Sequence, residues 1–290
     1  SDETGDGSIE RPYASFEKAK EEVARNKGGS VTVYFRGGEY PISKSIRFTA
    51  ADSGSAAMPV TYKAYEGEKV VLTGSQKLDA SKITRVTDEA VLNRLVDPAA
   101  KKRLYQIKLS DVGVTSLRPL QDYYGWWGNV FLPDEIYYNN TALEMARYPN
   151  KEHNYAYLYT KEVTAPEERD GPNGWRETPF SIVYQDDGDR ARLWQLEGKD
   201  DLFISGVYGQ DFAFMTNRID TAKFDPAKKE FTSVTGSKGG YRVQTDHRFF
   251  FMNLLEEIDF PGEYYLDRDS MTLYFYPPDV SEETAAADLR

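Results

Sequence analysis

Carboxylates are the most abundant reactive groups in this sequence, 47 Asp and Glu against two histidines and no cysteine. Two carboxyl groups flanking an acetal linkage, one giving a proton and the other acting as nucleophile or base, would hydrolyse it. With so many acids, proximity in sequence selects no pair, and the catalytic residues stay unassigned. Glu256 and Glu257 are neighbours in a segment read as strand, where successive side chains point to opposite faces, so a structural role is expected. Asp211, between Gln210 and Phe212, is the carboxylate expected to contact a substrate. His153 and His247 are too few for a three-histidine metal site, and His247, just before Arg248, is the one expected to line a cleft. The missing cysteines exclude disulfides, thiolate catalysis and cysteine-ligated metals.

Aromatic side chains are the second resource, with 21 Tyr, 15 Phe and 4 Trp. Most belong in β-sheet cores, but flat ring faces also stack on sugars. Trp126 and Trp127, set between Gly125 and Gly128 and extended by Tyr123 and Tyr124, form either a sugar platform or an anchor for their loop. Trp175 has the same two readings, whereas Trp194 sits in an alternating stretch and is expected in the core. The planar fork of Arg147 suits sugar hydroxyls or an acidic sugar, with surface ion pairing as the alternative. The acidic turns 2–6 and 186–189 are where a calcium ion would sit, but neither completes an EF-hand loop, and no cofactor is expected. Residues 236–240 lack the spacing and following helix of a phosphate loop.

These groups need elements to hold them. Residues 15–24 predict a short amphipathic helix, with Ser15 as N-cap and Phe16, Ala19 and Val23 on one face, ended by Gly28 and Gly29. Period-two patterning then takes over: Val31, Val33 and Phe35; Ile46 and Phe48; Val60, Tyr62 and Ala64; then Val71. None of the turns between these strands has room for a crossover helix, which leaves an antiparallel meander or a solenoid. A helix is expected over 88–96, and strands over 103–109, 134–138, 180–184, 192–196, 202–207, 230–234, 263–266 and 272–276. The net charge of −11 disfavours nucleic acid, whose phosphates are gripped by Lys and Arg. No run is long and apolar enough to span a membrane. The start at Ser1 reads as that of a mature or excised chain.

Several phrases spread over the chain are familiar together. Asp6-Gly7-Ser8, Pro12-Tyr13-Ala14-Ser15-Phe16, the run Val31 to Tyr40 and the run Pro59 to Glu68 resemble the opening coils of pectate-lyase-like right-handed parallel β-helices. Asp97-Pro98-Ala99-Ala100, Ala146-Arg147-Tyr148-Pro149-Asn150, and Phe251 to Asp259 with Pro261 to Arg268 resemble glycoside hydrolase family 141 and the related family 120. The resemblance implies a mainly β fold, with a cap helix and first coils over 1–75, an inserted β-sandwich-like domain over 76–245, and a return to the β-helix over 246–290. In those relatives the catalytic carboxylates lie on later coils, so the chain alone is expected to be inactive. The implied partner is a polysaccharide or oligosaccharide and the implied location is outside a bacterial cell, secreted, periplasmic or at the surface. Trp126, Trp127, Tyr124, Arg147, Trp175, Asp211 and His247 are the expected substrate-binding residues. A non-catalytic carbohydrate-binding module and a polysaccharide lyase are the alternatives.

Overall fold

The computed structural model describes residues 1–26, 28–122, 134–151, 157–169, 174, 176–237, 241–278 and 288–290. The chain divides into two units, Ser1–Gln76 and Lys77–Arg290. In the first, α1 (Phe16–Arg25) starts as the sequence predicts, the Ser15 hydroxyl accepting from the Lys18 backbone N–H at 3.1 Å. The strands β1 (Val31–Phe35), β2 (Gly38–Pro41), β3 (Val60–Ala64) and β4 (Val70–Thr73) follow. They pair in parallel, β1 with β3 from Val31 opposite Val60, and β2 with β4 from Gly38 opposite Val70. The only helical turn inside this winding is the 3-10 turn Ala50–Asp52, so the chain reaches parallel pairing by coiling on itself.

Phe16 joins the helix to both strands of one pair, its ring 5.3 Å from Phe35 and 5.3 Å from Tyr62. This unit buries little else. Val23 is its one buried apolar side chain among the described residues, while Phe48 is 54% exposed and Leu72 50%. A cleft of about 380 Å³ remains between α1 and β1.

The second unit has three buried apolar clusters. The strands β5 (Thr84–Arg85), β6 (Tyr105–Lys108), β7 (Tyr137–Tyr138), β8 (Thr141–Ala142), β9 (Glu144–Met145) and β10 (Arg147–Tyr148) are short, with helix α2 (Glu89–Leu92) after β5. Longer strands follow: β11 (Leu158–Thr164), β12 (Ser181–Gln185), β13 (Phe203–Gln210), β14 (Ala213–Asp225), β15 (Glu230–Ser233) and β16 (Arg248–Met252), then β17 (Glu263–Asp267) and β18 (Thr272–Phe275). The order β16-β11-β12-β15-β14-β13 closes on itself because β13 pairs with β16 from Phe203 opposite Met252 to Gly206 opposite Phe249. The expected sandwich is therefore a closed, antiparallel, six-stranded barrel. Alternating strands suit either form, and closure rests on this long-range pairing, which periodicity cannot display. The expected boundary at 245/246 falls beside β16, a wall of the barrel.

Inward residues alternate along each strand. The rings of Tyr184, Phe231, Phe249 and Phe251 meet edge to face inside, with Phe251 5.4 Å from each of the other three. Irregularities in the pairs β11–β12, β13–β14 and β14–β15 give the extra bend that closing a small barrel requires. A second sheet, ordered β5-β6-β18-β17-β9, buries Ile107, Leu273, Phe275 and Tyr264 on one face and Leu104, Tyr265, Tyr274 and Tyr276 on the other.

Gly206 shows how tightly the barrel closes. A β-carbon there would lie 2.5 Å from the Arg248 carbonyl oxygen and 2.7 Å from the Phe249 α-carbon, backbone atoms that cannot retreat without breaking the closing ladder. Gly206→Ala is expected to cost ~2–4 kcal/mol in urea denaturation. Gly28→Ala, with nothing within 4 Å of the added carbon, is expected to stay within about 0.5 kcal/mol of the parent.

Candidate functional site

Two groups of side chains have the chemistry of a site, one sealed and one open. The sealed group lies where the chain leaves the barrel for the second sheet. Leu255–Glu257 forms a 3-10 turn, not the strand expected for Glu256 and Glu257, and both carboxylates are buried. Glu256 accepts from Arg94 Nε at 3.0 Å and Nη2 at 2.7 Å, and from the Gln195 backbone N–H at 3.0 Å. Glu257 accepts from Arg190 Nε at 3.0 Å and from the Trp194 indole N–H at 2.5 Å.

The same Arg190 guanidinium pairs with Asp259, which also accepts from the Asn150 amide at 2.6 Å. Glu263, the first residue of β17, turns back to accept the backbone N–H groups of Asp259 at 3.0 Å and Phe260 at 2.9 Å. Burial pushes the Glu257 carboxyl up to about 7 against the pull of Arg190 and Trp194. Burial, reinforced by Asp259, raises Glu263 as well.

Raised carboxyls in a cluster are a general mark of active sites, but buried ion-pair networks produce them too. Access decides between the two. Glu257 is 0% and Glu263 4% exposed, and the gap beside Glu256 holds about 10 Å³. No sugar reaches these carboxyls, and the cluster is a structural joint.

The open group runs over the outside of the barrel. The Arg147 guanidinium lies 3.5 Å from the Phe250 ring centre, and Tyr157 sits 5.8 Å from the guanidiniums of both Arg147 and Arg248. Asp211 faces Arg248 at 3.9 Å, and Glu144 faces Arg147 at 3.6 Å. Alongside opens a groove of about 300 Å³ whose lining includes Glu135, Tyr137, Glu144, Arg147, Phe250 and Tyr264.

The structure thus brings two of the expected residues, Arg147 and Asp211, onto one aromatic strip. Arg147 is buried, 6% exposed, and combines stacking on Phe250 with the expected ion pair, made to Glu144. Asp211 stands in the exposed turn between β13 and β14. His247 is tied to the barrel end by its backbone, its N–H donating to Thr160 Oγ1 at 3.0 Å, with its ring Nδ1 2.8 Å from the Thr245 carbonyl. Tyr124, Trp126, Trp127, Trp175 and His153 lie outside the described residues.

Of the acidic turns, Asp2 accepts the Ala14 and Ser15 backbone N–H groups, while Asp186 accepts the Tyr148 hydroxyl and the Gly188 N–H. Among the described residues no three or more acids and histidines gather where a metal would be held. Sequence reasoning passed over Arg190, Asp259 and Glu263. Arg190 follows the acidic turn 186–189, whose composition reads as solvated loop, and 192–196, expected as strand, lies largely within the 3-10 segment Arg190–Leu193 and its cap.

No protein-family model matches the chain. The pectate lyase PEL9 of Emericella nidulans is 37% identical over 70 residues, 24% of this chain and 16% of that protein. A solved structure named as a glycoside hydrolase superposes with a TM-score of 0.66 over 100% of this chain and 44% of its own length, at 17% identity. The chain thus spans less than half the length of that structure. At that identity the likeness establishes the fold alone, a mainly β architecture. No helix among the described residues is long and apolar enough to cross a membrane.

The sealed joint is open to direct test. Arg190→Ala leaves Glu257 and Asp259 buried beside no cation and is expected to cost ~3–5 kcal/mol. Because folding raises the Glu257 carboxyl, the native state binds its proton more tightly than the unfolded chain. Its contribution to stability is complete below the ordinary carboxyl value of 4.5 and is lost as pH rises through about 7. The difference in unfolding free energy between the parent and Glu257→Gln should therefore change across pH 4.5 to 7 and level off above; a difference flat in pH would refute the assignment.

Proposed function

We propose that this chain is the N-terminal part of a glycoside hydrolase acting on plant or microbial polysaccharide, similar to glycoside hydrolase family 141, with its catalytic carboxylates on later coils. The observation that carries the reading is the pair of parallel ladders in residues 1–76, formed without a crossover helix, a pairing that the first turns of a right-handed β-helix would make. The likeness to a glycoside hydrolase more than twice as long supports it, and so do the exposed apolar residues of that unit, Phe48 and Leu72 among them. Residues 1–75 are then the cap and opening coils, 76–245 the insertion, and 246–290 the return toward the β-helix.

Within this reading the barrel forms one wall of a substrate cleft. Tyr124, Trp126, Trp127, Trp175, Arg147, Asp211 and His247 are the residues assigned to sugar contact. The protein works in a secreted, periplasmic or cell-surface setting of a bacterium, where its polymeric substrate is found. The short match to a pectate lyase favours a second reading, polysaccharide lysis on the same scaffold; fold alone does not separate hydrolase from lyase.

Product analysis tests both readings. This chain, and a longer protein in which it is followed by further coils, would be assayed on a panel of neutral and acidic glycans. The longer protein is expected to release reducing sugar without ultraviolet-absorbing unsaturated ends, and this chain to release none. Robust cleavage by this chain would contradict the downstream location of catalysis, and unsaturated products would establish the lyase.

A further inference from the structure

We propose that the groove beside β7, β9 and β10 binds one neutral pyranose unit of a glycan and excludes uronates; this rests on the polysaccharide reading above. Its size, about 300 Å³, stands at the lower end of the range for small-ligand pockets, roughly 300–1,000 Å³, which suits a single sugar ring. Its surfaces are of two kinds. Tyr137 presents a partly exposed ring, with Phe250, stacked on Arg147, and the buried side chains of Tyr264, Met145 and Met252 forming the wall behind it. Around them stand Asp134, Glu135 and Glu144. A pyranose has the complementary pair of surfaces, C–H faces that stack on rings and hydroxyls that donate to carboxylates, which only accept when ionised.

Charge sets the class of sugar. Three carboxylates stand in the lining: Glu144 pairs with Arg147 and Asp134 with Arg268, while Glu135 accepts from the Tyr137 hydroxyl and has no cation beside it in the lining. Arg147 is already engaged: its Nε donates to the Pro149 carbonyl at 2.9 Å, Glu144 lies 3.6 Å away, and Phe250 covers its face. A uronate entering here would bring its carboxylate among like charges, on a protein whose net charge of −11 already repels polyanions. The hydroxyls of a neutral sugar instead find acceptors. Tyr137, whose hydroxyl donates to Glu135 at 3.2 Å, ties the aromatic and acidic sides of the groove together.

The test is electrophoresis of the whole chain through native gels containing hydroxyethylcellulose, arabinoxylan, galactomannan or polygalacturonate. At least one neutral polymer is expected to retard the protein, with the apparent affinity falling at least threefold in Tyr137→Ala and in Glu144→Gln, while polygalacturonate does not retard it. Melting curves of both variants accompany the gels, and the exposed, isosteric Glu144→Gln keeps the test valid if Tyr137→Ala unfolds. Three results would overturn the proposal: retardation unchanged in the folded variants, retardation strongest in polygalacturonate, or none in any neutral gel. None of these decides whether the longer protein cleaves polysaccharide, which the product assay settles separately.

Discussion

One guanidinium holds the larger unit together. Arg190 leaves the barrel in the segment between β12 and β13 and meets Glu257 and Asp259 in the segment between β16 and β17. It thereby joins the barrel to the five-stranded sheet. Trp194 reinforces the joint from the same segment, its ring packed 5.2 Å from Phe251 in the barrel core while its N–H reaches Glu257. Arg94 and Glu256 fasten the segment after α2 to the same turn. Burying these ions is costly, and the arrangement is stable only while each keeps its partner. Barrel and sheet therefore fold as one body.

A cluster of acids with raised proton affinity is common in active sites, but here Glu256, Glu257 and Glu263 are buried and spent on the joint. The groups nearer the surface are Arg248 and Asp211, with Arg147 buried against Phe250 beside them and the groove alongside. These have the character of a binding surface: rings, acceptors and paired guanidiniums.

Local signals in the sequence were legible, and distant pairings were not. Helix α1 was readable because Ser15, Phe16, Ala19 and Val23 carry cap and face within ten residues. The strands at 105–108, 181–185 and 230–233 were readable from alternation. β14, with 13 residues, escaped because Asn217, buried inside the barrel and bonded to Tyr208 at 2.6 Å, breaks the apolar rhythm. Closure of the barrel escaped because it joins residues 203–206 to 249–252. Arg147 and Asp211 were singled out for their chemistry, but their common strip depends on Tyr157 and Phe250, ordinary core-type residues in sequence.

The two units differ in how well they are filled, and this is the central physical claim. Lys77–Arg290 has three buried clusters and a closed ladder, whereas Ser1–Gln76 has two short parallel ladders, one buried apolar side chain among its described residues, and several exposed ones. Two short parallel ladders with so little buried apolar surface have few contacts to hold them. Hydrogen exchange followed by mass spectrometry measures this most directly. The account predicts that amides of β13, β14, β16, β17 and β18 exchange together, only through global unfolding, and those of β1 to β4 at least ~100-fold faster. Equal protection of β1 to β4 would contradict it and make residues 1–76 a self-sufficient fold.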